Sequence, residues 1–463
     1  MIILDKITES LENWGSQPVI VELNNDGSEN RIDARQFLHR VDELRALFAE
    51  YGITEGVLVP LFIDNSWDYP AIFLALIRIG AVPVLAKSLY RRLELNEIFQ
   101  NSNPSVVICS VDHLETITLW TQNILVLVYD KGKWSSQGKR KPRPGNVIPG
   151  TVSVNYTYRD YGYPLGAMVG ESGYLDAVRR YQSYVRFSPG HSVLALLPMS
   201  HIFTLISAVF LPLLNGLTIY IINTLHPKTI LETLKERKIE YLSTIPEILM
   251  LLAKLYPEDM KLPSLRALVS GGSYLSEENH RFISKCFQVE VLNGYGLTEV
   301  APVTANIRNS WKFGTIGEFC KELSCRISDS TDSQKGEILV QVEDSFLGYL
   351  GRKEETSDVL KDGWFKTGDL GYEKDGMVYF SGELKRTRKV NGQLVDLKEV
   401  EIALIKTGMV NEAIVSGETN HIHAVVSLIE PVESEKEALR SLRSVLSEII
   451  ASYKIPKTIN IVR

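Results

Sequence analysis

Glu299 closes the stretch VLNGYGLTE with Thr298 immediately before it, so a hard carboxylate oxygen of the kind a divalent cation prefers stands beside a hydroxyl donor. Tyr295 offers a flat aromatic face in the same stretch, and Gly294 and Gly296 on either side let backbone come close to whatever rests on it. Asp369, in KTGDL, adds a carboxylate able to accept two hydrogen bonds at once. Gly271 and Gly272 lie between Ser270 and Ser273, again where backbone can approach a ligand. His201 precedes Ile202 at the head of a long apolar run. The stretch NYTYRDYGYPLGAM, from Asn155 to Met168, is too glycine-poor for an ordinary phosphate loop and too polar for core, yet it carries Thr157 and Arg159. These groups suit small-molecule chemistry, and a net charge of -6 argues against bulk nucleic-acid or anionic-membrane binding.

The elements that must position these groups follow from the patterning. A chain of 463 residues is too long for one compact core and predicts a large domain with one or two smaller ones. From about residue 55, short apolar runs (GVLVPLFI, PSVVICS, ILVLVYD) alternate with amphipathic stretches, as in βα units with parallel sheets covered on both faces. A second cycle runs from SVLALLPM through KIEYLSTI and LRALVSGG to FQVEVLNGYG. After about residue 313, strands alternate with glycine turns, predicting a mainly antiparallel β-rich subdomain. The last eighty or so residues return to α+β, with helices near KEVEIALIKT and ESEKEALRSLRSVLSEIIASY. The fold class is therefore α/β: a large N-terminal domain (1–384) of layered αβα sheets with the β-rich subdomain at 313–384, and a small α+β C-terminal domain (385–463).

Several features are read in the negative. Ile202 to Leu225 carries no charge and is long enough to span a bilayer, but Pro212 and Asn215-Gly216 divide it into a buried helix, a turn and the strand LTIYII, so no membrane span is expected. Asp5, Lys6 and Glu9 interrupt the opening stretch, which lacks a signal peptide's apolar run, and a cytoplasmic location is expected. Cys109, Cys286, Cys320 and Cys325 show no zinc spacing and read as reduced thiols. Asp130 to Gly145 fails the spacing of a Walker loop, with Arg140 after Lys139 where Ser or Thr is needed, and reads as a solvated linker. His421 and His423 share a strand face without a third ligand and read as edge histidines.

The segments LVSGGSYLSEEN, VLNGYGLTEVAP, DGWFKTGDLGYEKDGMVYFSGELKR and KVNGQLVDLKEVEIAL, in that order, resemble the signatures of the adenylate-forming superfamily, which includes acyl-CoA synthetases, aryl-CoA ligases, luciferases and peptide-synthetase adenylation domains. NSWDYPAIFLALIRIGAVPVL and LPMSHIFTL resemble further blocks, so the resemblance extends over most of the chain. It implies an AMP-forming carboxylic acid ligase that uses ATP and Mg²⁺. The acid becomes an acyl-adenylate with loss of pyrophosphate, and the acyl group then passes to a phosphopantetheine thiol of coenzyme A or of a carrier protein. The resemblance places Glu299 on the metal, Thr298 on the α-phosphate and Asp369 on the ribose hydroxyls. Tyr295, with Gly294, Gly296 and the loop Gly271, Gly272 and Ser273, falls on the adenine side, while Thr157 and Arg159 fall beside the phosphates. His201, Ile202, Gly272 and Gly296 line the acid pocket, with His201 counted among the catalytic groups beside Thr298 and Glu299. Lys385 is the hinge about which the C-terminal domain turns between an adenylating and a thiol-transfer pose. Amino-acid-activating members carry an aspartate after the histidine. HIFTLISAVF has no acid, and a buried ammonium without a counter-charge is costly, so a fatty or aryl acid is expected.

The chain departs from the family's pattern in three places. The tyrosine-rich stretch occupies the slot of a Ser/Thr/Gly phosphate loop ending in Pro-Lys-Gly, with Tyr158, Arg159, Asp160 and Tyr161 at its centre and Leu165 at the lysine. Either Arg159 supplies the missing charge to the β- and γ-phosphates, or Asp160 neutralises it and the loop is structural. Glu383 stands where an arginine is usual, and the chain stops after YKIPKTINIVR, which resembles the strand leading to the family's C-terminal catalytic lysine. Loss of one such preorganised charge would lower adenylation by roughly a hundred- to thousand-fold. Three readings remain: a chain without its final segment, a ligase with a rewired phosphate site, or an impaired paralogue acting as a nucleotide- or acyl-binding scaffold. Retention of Thr298, Glu299 and Asp369 together favours a working ligase.

Overall fold

The computed structural model describes residues 1–462 apart from 25, 139–140, 329–334, 419, 431 and 433. Two large sheets dominate. The first runs, edge to edge, through Glu318–Phe319, Thr304–Ala305, Glu290–Tyr295, Ala267–Ser270, Tyr241–Thr244, Ser192–Ala195, Thr218–Ile221, Ile20–Leu23 and Glu29–Ile32. Its six strands from Glu290–Tyr295 to Ile20–Leu23 pair in parallel, and they are apolar runs because both faces are covered. The second runs through Phe346–Tyr349, Leu165–Gly170, Thr151–Thr157, Val82–Leu85, Leu58–Phe62, Val106–Ser110, Leu125–Asp130 and Lys133–Gln137. Val59 and Leu61 of the second sheet share one buried cluster with Val193, Ala195 and Ile219 of the first. The helix Asp68–Arg78, buried on nearly every face, contributes Ala71 to Ile77 to the same cluster, as its unbroken apolar sequence requires.

The apolar segment after His201 folds as expected. Helical turns from Ile202 to Asn215, π-helical over Leu205–Phe210, end at Gly216 with φ 72°, and the strand Thr218–Ile221 follows. No helix among the described residues is long and apolar enough to cross a membrane. The β-rich region pairs Cys325–Ile327, Gly336–Gln341, Trp364–Lys374, Leu360–Lys361 and Met377–Glu383 antiparallel. One of its strands leaves: Phe346–Tyr349 pairs with Leu165–Gly170 and extends the second large sheet. The smaller C-terminal domain has a hairpin (Thr387–Val390 with Gln393–Asp396), the helix Leu397–Lys406, a sheet of Val410–Glu418, His421–Leu428 and Thr458–Val462, and the helix Glu435–Ile449.

The basic stretch after Asp130 differs from a solvated linker. Lys133–Gln137 is an edge strand paired antiparallel to Leu125–Asp130, held because Trp134 packs against Phe48 and Tyr129. Lys139 and Arg140 lie outside the described residues. The four cysteines are unpaired, and His421 and His423 lie on one strand, where the described residues offer no group of three metal-ligating side chains.

Phe73 is buried in the shared cluster, with its ring edge-on to Phe210 at 5.5 Å and Tyr174 at 6.1 Å. Phe73→Ala is expected to cost about 3–5 kcal/mol, read as an earlier urea midpoint, and Phe73→Leu distinctly less.

Candidate active site

The parallel strands Ala267–Ser270 and Glu290–Tyr295 end at one cavity, where a doubly covered parallel sheet opens at the carboxyl ends of its strands. Thr298 and Glu299 enter it from the turn after the second strand, with Gly294, Tyr295 and Gly296. Gly271 and Gly272 form the adjoining wall, and a Cβ at Gly271 would stand 3.1 Å from the Phe203 ring, so no larger residue fits that approach unchanged. His201 and Ile202 line the side facing the helical turns, Thr157 and Arg159 descend from the hairpin of the second sheet, and Asp369 reaches in from the antiparallel sheet. Lys385 closes the rim. The cavity thus gathers every residue singled out from the sequence except Ser273, which is buried behind the wall with no hydrogen-bond partner for its hydroxyl.

The charges inside are already matched. Arg159 Nη2 donates to the Lys366 carbonyl at 2.5 Å and Nη1 lies 3.4 Å from Glu299 Oε1, with the guanidinium 4.8 Å from the Phe365 ring centroid. The Tyr349 hydroxyl also donates to Glu299 Oε1. The carboxylate balancing Arg159 is therefore distant in sequence, whereas the adjacent Asp160 holds a left-handed φ of 66° and makes no ion pair with it. Asp369 Oδ2 accepts from the Tyr295 hydroxyl at 2.6 Å, and its Oδ1 lies 3.7 Å from Lys385 Nζ. Glu383 sits opposite Asp369 across the strand pair, with Arg388 at 3.7 Å, and burial together with Asp369 raises its carboxyl above the usual range.

The tyrosine-rich loop is the tip of the hairpin Thr151–Thr157/Leu165–Gly170, and it clasps the C-terminal domain. Lys454, fully buried, donates to Tyr158 Oη at 2.8 Å and Glu399 Oε2 at 2.5 Å, and its ammonium also lies 2.9 Å from Glu94 Oε1 as an ion pair. The Tyr158 hydroxyl in turn donates to Glu399 Oε1 at 2.8 Å. Glu94 reaches across by accepting the Ala451 amide at 2.9 Å while capping its own helix at the Arg91 amide. The Gly162 amide donates to Asp396 Oδ2 at 3.0 Å. Two carboxylates hold Lys454 protonated despite its burial, and burial pushes Glu399 up against that pull.

His201 accepts the Phe203 amide at Nδ1, 3.3 Å away, which leaves the proton of the neutral ring on Nε2. Burial, with Lys87 and Lys389 nearby, drives its basicity down to about 3, so the ring stays neutral. Sequence reasoning missed Lys87, Lys389 and Asn155, all in the cavity wall. Asn155 is buried, its Oδ1 without a partner, and burial lowers Lys87 to about 7. The polarity of NYTYRD was the available signal for Asn155. Lys87 and Lys389 gave none, since a lysine in an isolated segment reads as solvated.

A parallel-sheet cavity closed on one side by a small α+β domain is the architecture of an adenylate-forming enzyme. The structure matches the amide bond synthetase McbA from Marinactinospora thermotolerans with a TM-score of 0.84 at 20% identity, covering 99% of this chain and 95% of that one. A double mutant of the o-succinylbenzoate CoA synthetase of Bacillus subtilis matches equally, with a TM-score of 0.84, 18% identity and coverage of 99% and 94%. The chain belongs to the AMP-binding enzyme family, whose pattern spans residues 7–350. It is 25% identical to 4-chlorobenzoate–CoA ligase of Arthrobacter over 90% of this chain and 85% of that protein. It is also 25% identical to a probable CoA ligase, CCL5, of Humulus lupulus over 82% of this chain and 75% of that protein.

Lys454→Met strands two buried carboxylates and is expected to cost about 3–5 kcal/mol, seen in denaturant melts and in faster proteolysis near residue 385. Adding Glu94→Gln and Glu399→Gln should restore much of the loss. His201 titrates near 3 when folded and near 6.5 when unfolded, so below pH 6.5 the unfolded chain takes up a proton that the folded one refuses. Stability should therefore fall as pH drops from about 6.5 toward 3, and His201→Gln should flatten that slope in thermal melts.

Proposed function

We propose that this protein is an AMP-forming acid–thiol ligase that activates a fatty or aryl carboxylic acid with ATP and passes the acyl group to the phosphopantetheine thiol of coenzyme A or a carrier protein. One observation carries the reading: Thr298 with Glu299, Asp369 and His201, from three separate segments, line a single cavity whose wall also includes the C-terminal hairpin. The relatives named as CoA ligases support coenzyme A as the acceptor.

In the first half-reaction an oxygen of the acid bonds to the α-phosphorus, and the bridging oxygen leaves with pyrophosphate. Thr298 donates to the α-phosphate and steadies the charge gathering there. Asp369, freed from Lys385 and the Tyr295 hydroxyl, accepts from the two ribose hydroxyls. The neutral His201, with its proton on Nε2, orients the acid by donating to a carboxylate oxygen. A divalent ion carried in on the triphosphate would offset phosphate charge. In the second half-reaction the thiol sulfur attacks the acyl carbon, the thiol proton is released, and AMP departs with the electrons of the broken C–O bond. The docked hairpin brings Thr387, Lys389 and Gly392 to the wall for this step. The segment from Ile202 to Phe210 carries no acid to pair with an α-ammonium, and the carboxylates elsewhere in the wall already have partners, which supports an acid without one.

Pyrophosphate exchange into ATP, measured with a panel of fatty and aryl acids, should be acid-dependent, and full turnover with coenzyme A should release AMP rather than ADP. Exchange that is silent for every acid would point instead to a binding scaffold. Asp369→Asn should raise KM for ATP by about tenfold or more, the loss of charge-assisted hydrogen bonds to the ribose.

A further inference from the structure

The phosphate side of the cavity holds its own cation. Arg159 is anchored by the Lys366 carbonyl and the Phe365 ring, and its side chain is 5% exposed against 1% for Glu299. The oxygen it faces, Glu299 Oε1, also accepts the Tyr349 hydroxyl. A divalent ion on this carboxylate would need an oxygen at about 2 Å, with several further oxygens around it. It would meet a guanidinium beside the same carboxylate, and two like charges there repel. The other carboxylates of the wall are engaged, Asp369 by Tyr295 and Lys385 and Glu383 by Arg388, and no group of three metal-ligating side chains occurs among the described residues. As the side chains stand, Glu299 does not fit a metal ion.

We propose that Arg159 serves as the resident cation of the phosphate site, occupying beside Glu299 the place a divalent ion would take. The proposal rests on the reading that the cavity binds ATP. Arg159 is always charged, presents five donors in a planar fork, and matches phosphate geometry in two-pronged fashion, which a solvated lysine does not. It lines the cavity while tied to Glu299 through only one nitrogen at 3.4 Å, so donors remain for phosphate oxygens. The nucleotide should consequently bind with little help from metal.

Calorimetric titration of the full chain with α,β-methylene-ATP, in EDTA and again in excess Mg²⁺, tests this without relying on turnover. The wild-type affinity should change less than about threefold between the two conditions, whereas Arg159→Met should bind about tenfold or more weaker in EDTA and recover most of that with Mg²⁺. Recovery should vanish in Arg159→Met with Glu299→Gln, because the exposed carboxylate is what the ion would use. Arg159→Lys, which keeps a charge and perturbs packing less, should fall between the two, and serves if the methionine variant does not fold. Wild-type binding that disappears in EDTA, or an equal metal dependence in wild type and variants, overturns the proposal while leaving ATP binding intact. Absence of binding in both conditions overturns the ATP reading along with it.

Discussion

One ammonium group, that of Lys454, ties the C-terminal domain to the loop that stands where a phosphate loop is expected. Taking a lone ammonium out of water costs several kcal/mol, so it can be buried only if three acceptors converge on it. They come from three separate segments: Glu94 from the N-terminal sheet's helix, Tyr158 from the hairpin tip and Glu399 from the helix after the C-terminal hairpin. Any rotation of the C-terminal domain would keep Glu399 with Lys454, since both ride on that domain, but would part them from Tyr158 and Glu94. The cluster therefore specifies one pose, and that pose is what puts Lys389 and Gly392 into the cavity wall.

Inside the cavity the same economy holds at smaller scale. Arg159 faces Glu299, Lys385 faces Asp369 and Arg388 faces Glu383, while His201 is kept neutral by burial and by the lysines beside it. A ligand entering such a site meets few bare charges. It must exchange partners with groups that already have them, so its affinity is a difference between two sets of hydrogen bonds rather than the sum of one. Specificity then follows from geometry, since only a ligand that offers a replacement for each displaced partner avoids leaving a buried group unsatisfied.

Much of the cavity was legible because its groups sit in short local patterns. GYGLTE, KTGDL and SGG each place a glycine turn beside a functional side chain, and the alternation of apolar runs with amphipathic helices foretold the parallel sheets that bring them together. The split of Ile202 to Leu225 at Asn215-Gly216 was legible for the same reason, because turn chemistry is local. What escaped was pairing over long separations. Arg159 meets Glu299 across 140 residues and Lys454 meets Tyr158 across 296, and nothing in either neighbourhood announces the other. Lys454 read only as part of a lead into the last strand, although it is fully buried. The strand Lys133–Gln137 was hidden because its polar face is exposed and its one apolar anchor, Trp134, acts through residues elsewhere. Phe346–Tyr349 crossed to the other sheet for a reason equally invisible locally: Phe346 stacks edge-on to Phe365 and Tyr349 while its backbone pairs with Leu165–Gly170.

The tyrosines now have a physical account. Within the loop, Tyr158 spends its hydroxyl on Lys454 and Glu399, Tyr161 on Asp358, Tyr163 on Glu355, and the Gly162 amide on Asp396. A loop that embraces an anion does so with free backbone N–H groups, and an amide makes one strong hydrogen bond at a time. The Gly162 amide is therefore available to a phosphate only when Asp396 has moved off with its domain. A Cβ at Gly162 would stand 2.9 Å from Ile402, so the loop accepts the docked helix closely because this position is glycine. Docking of the C-terminal domain thus occupies the Gly162 amide with Asp396. Tyr158 favours the docked pose, because its hydroxyl already holds partners on the C-terminal domain, while Tyr161 and Tyr163 fix the loop on the helix Lys353–Val359 of the large domain.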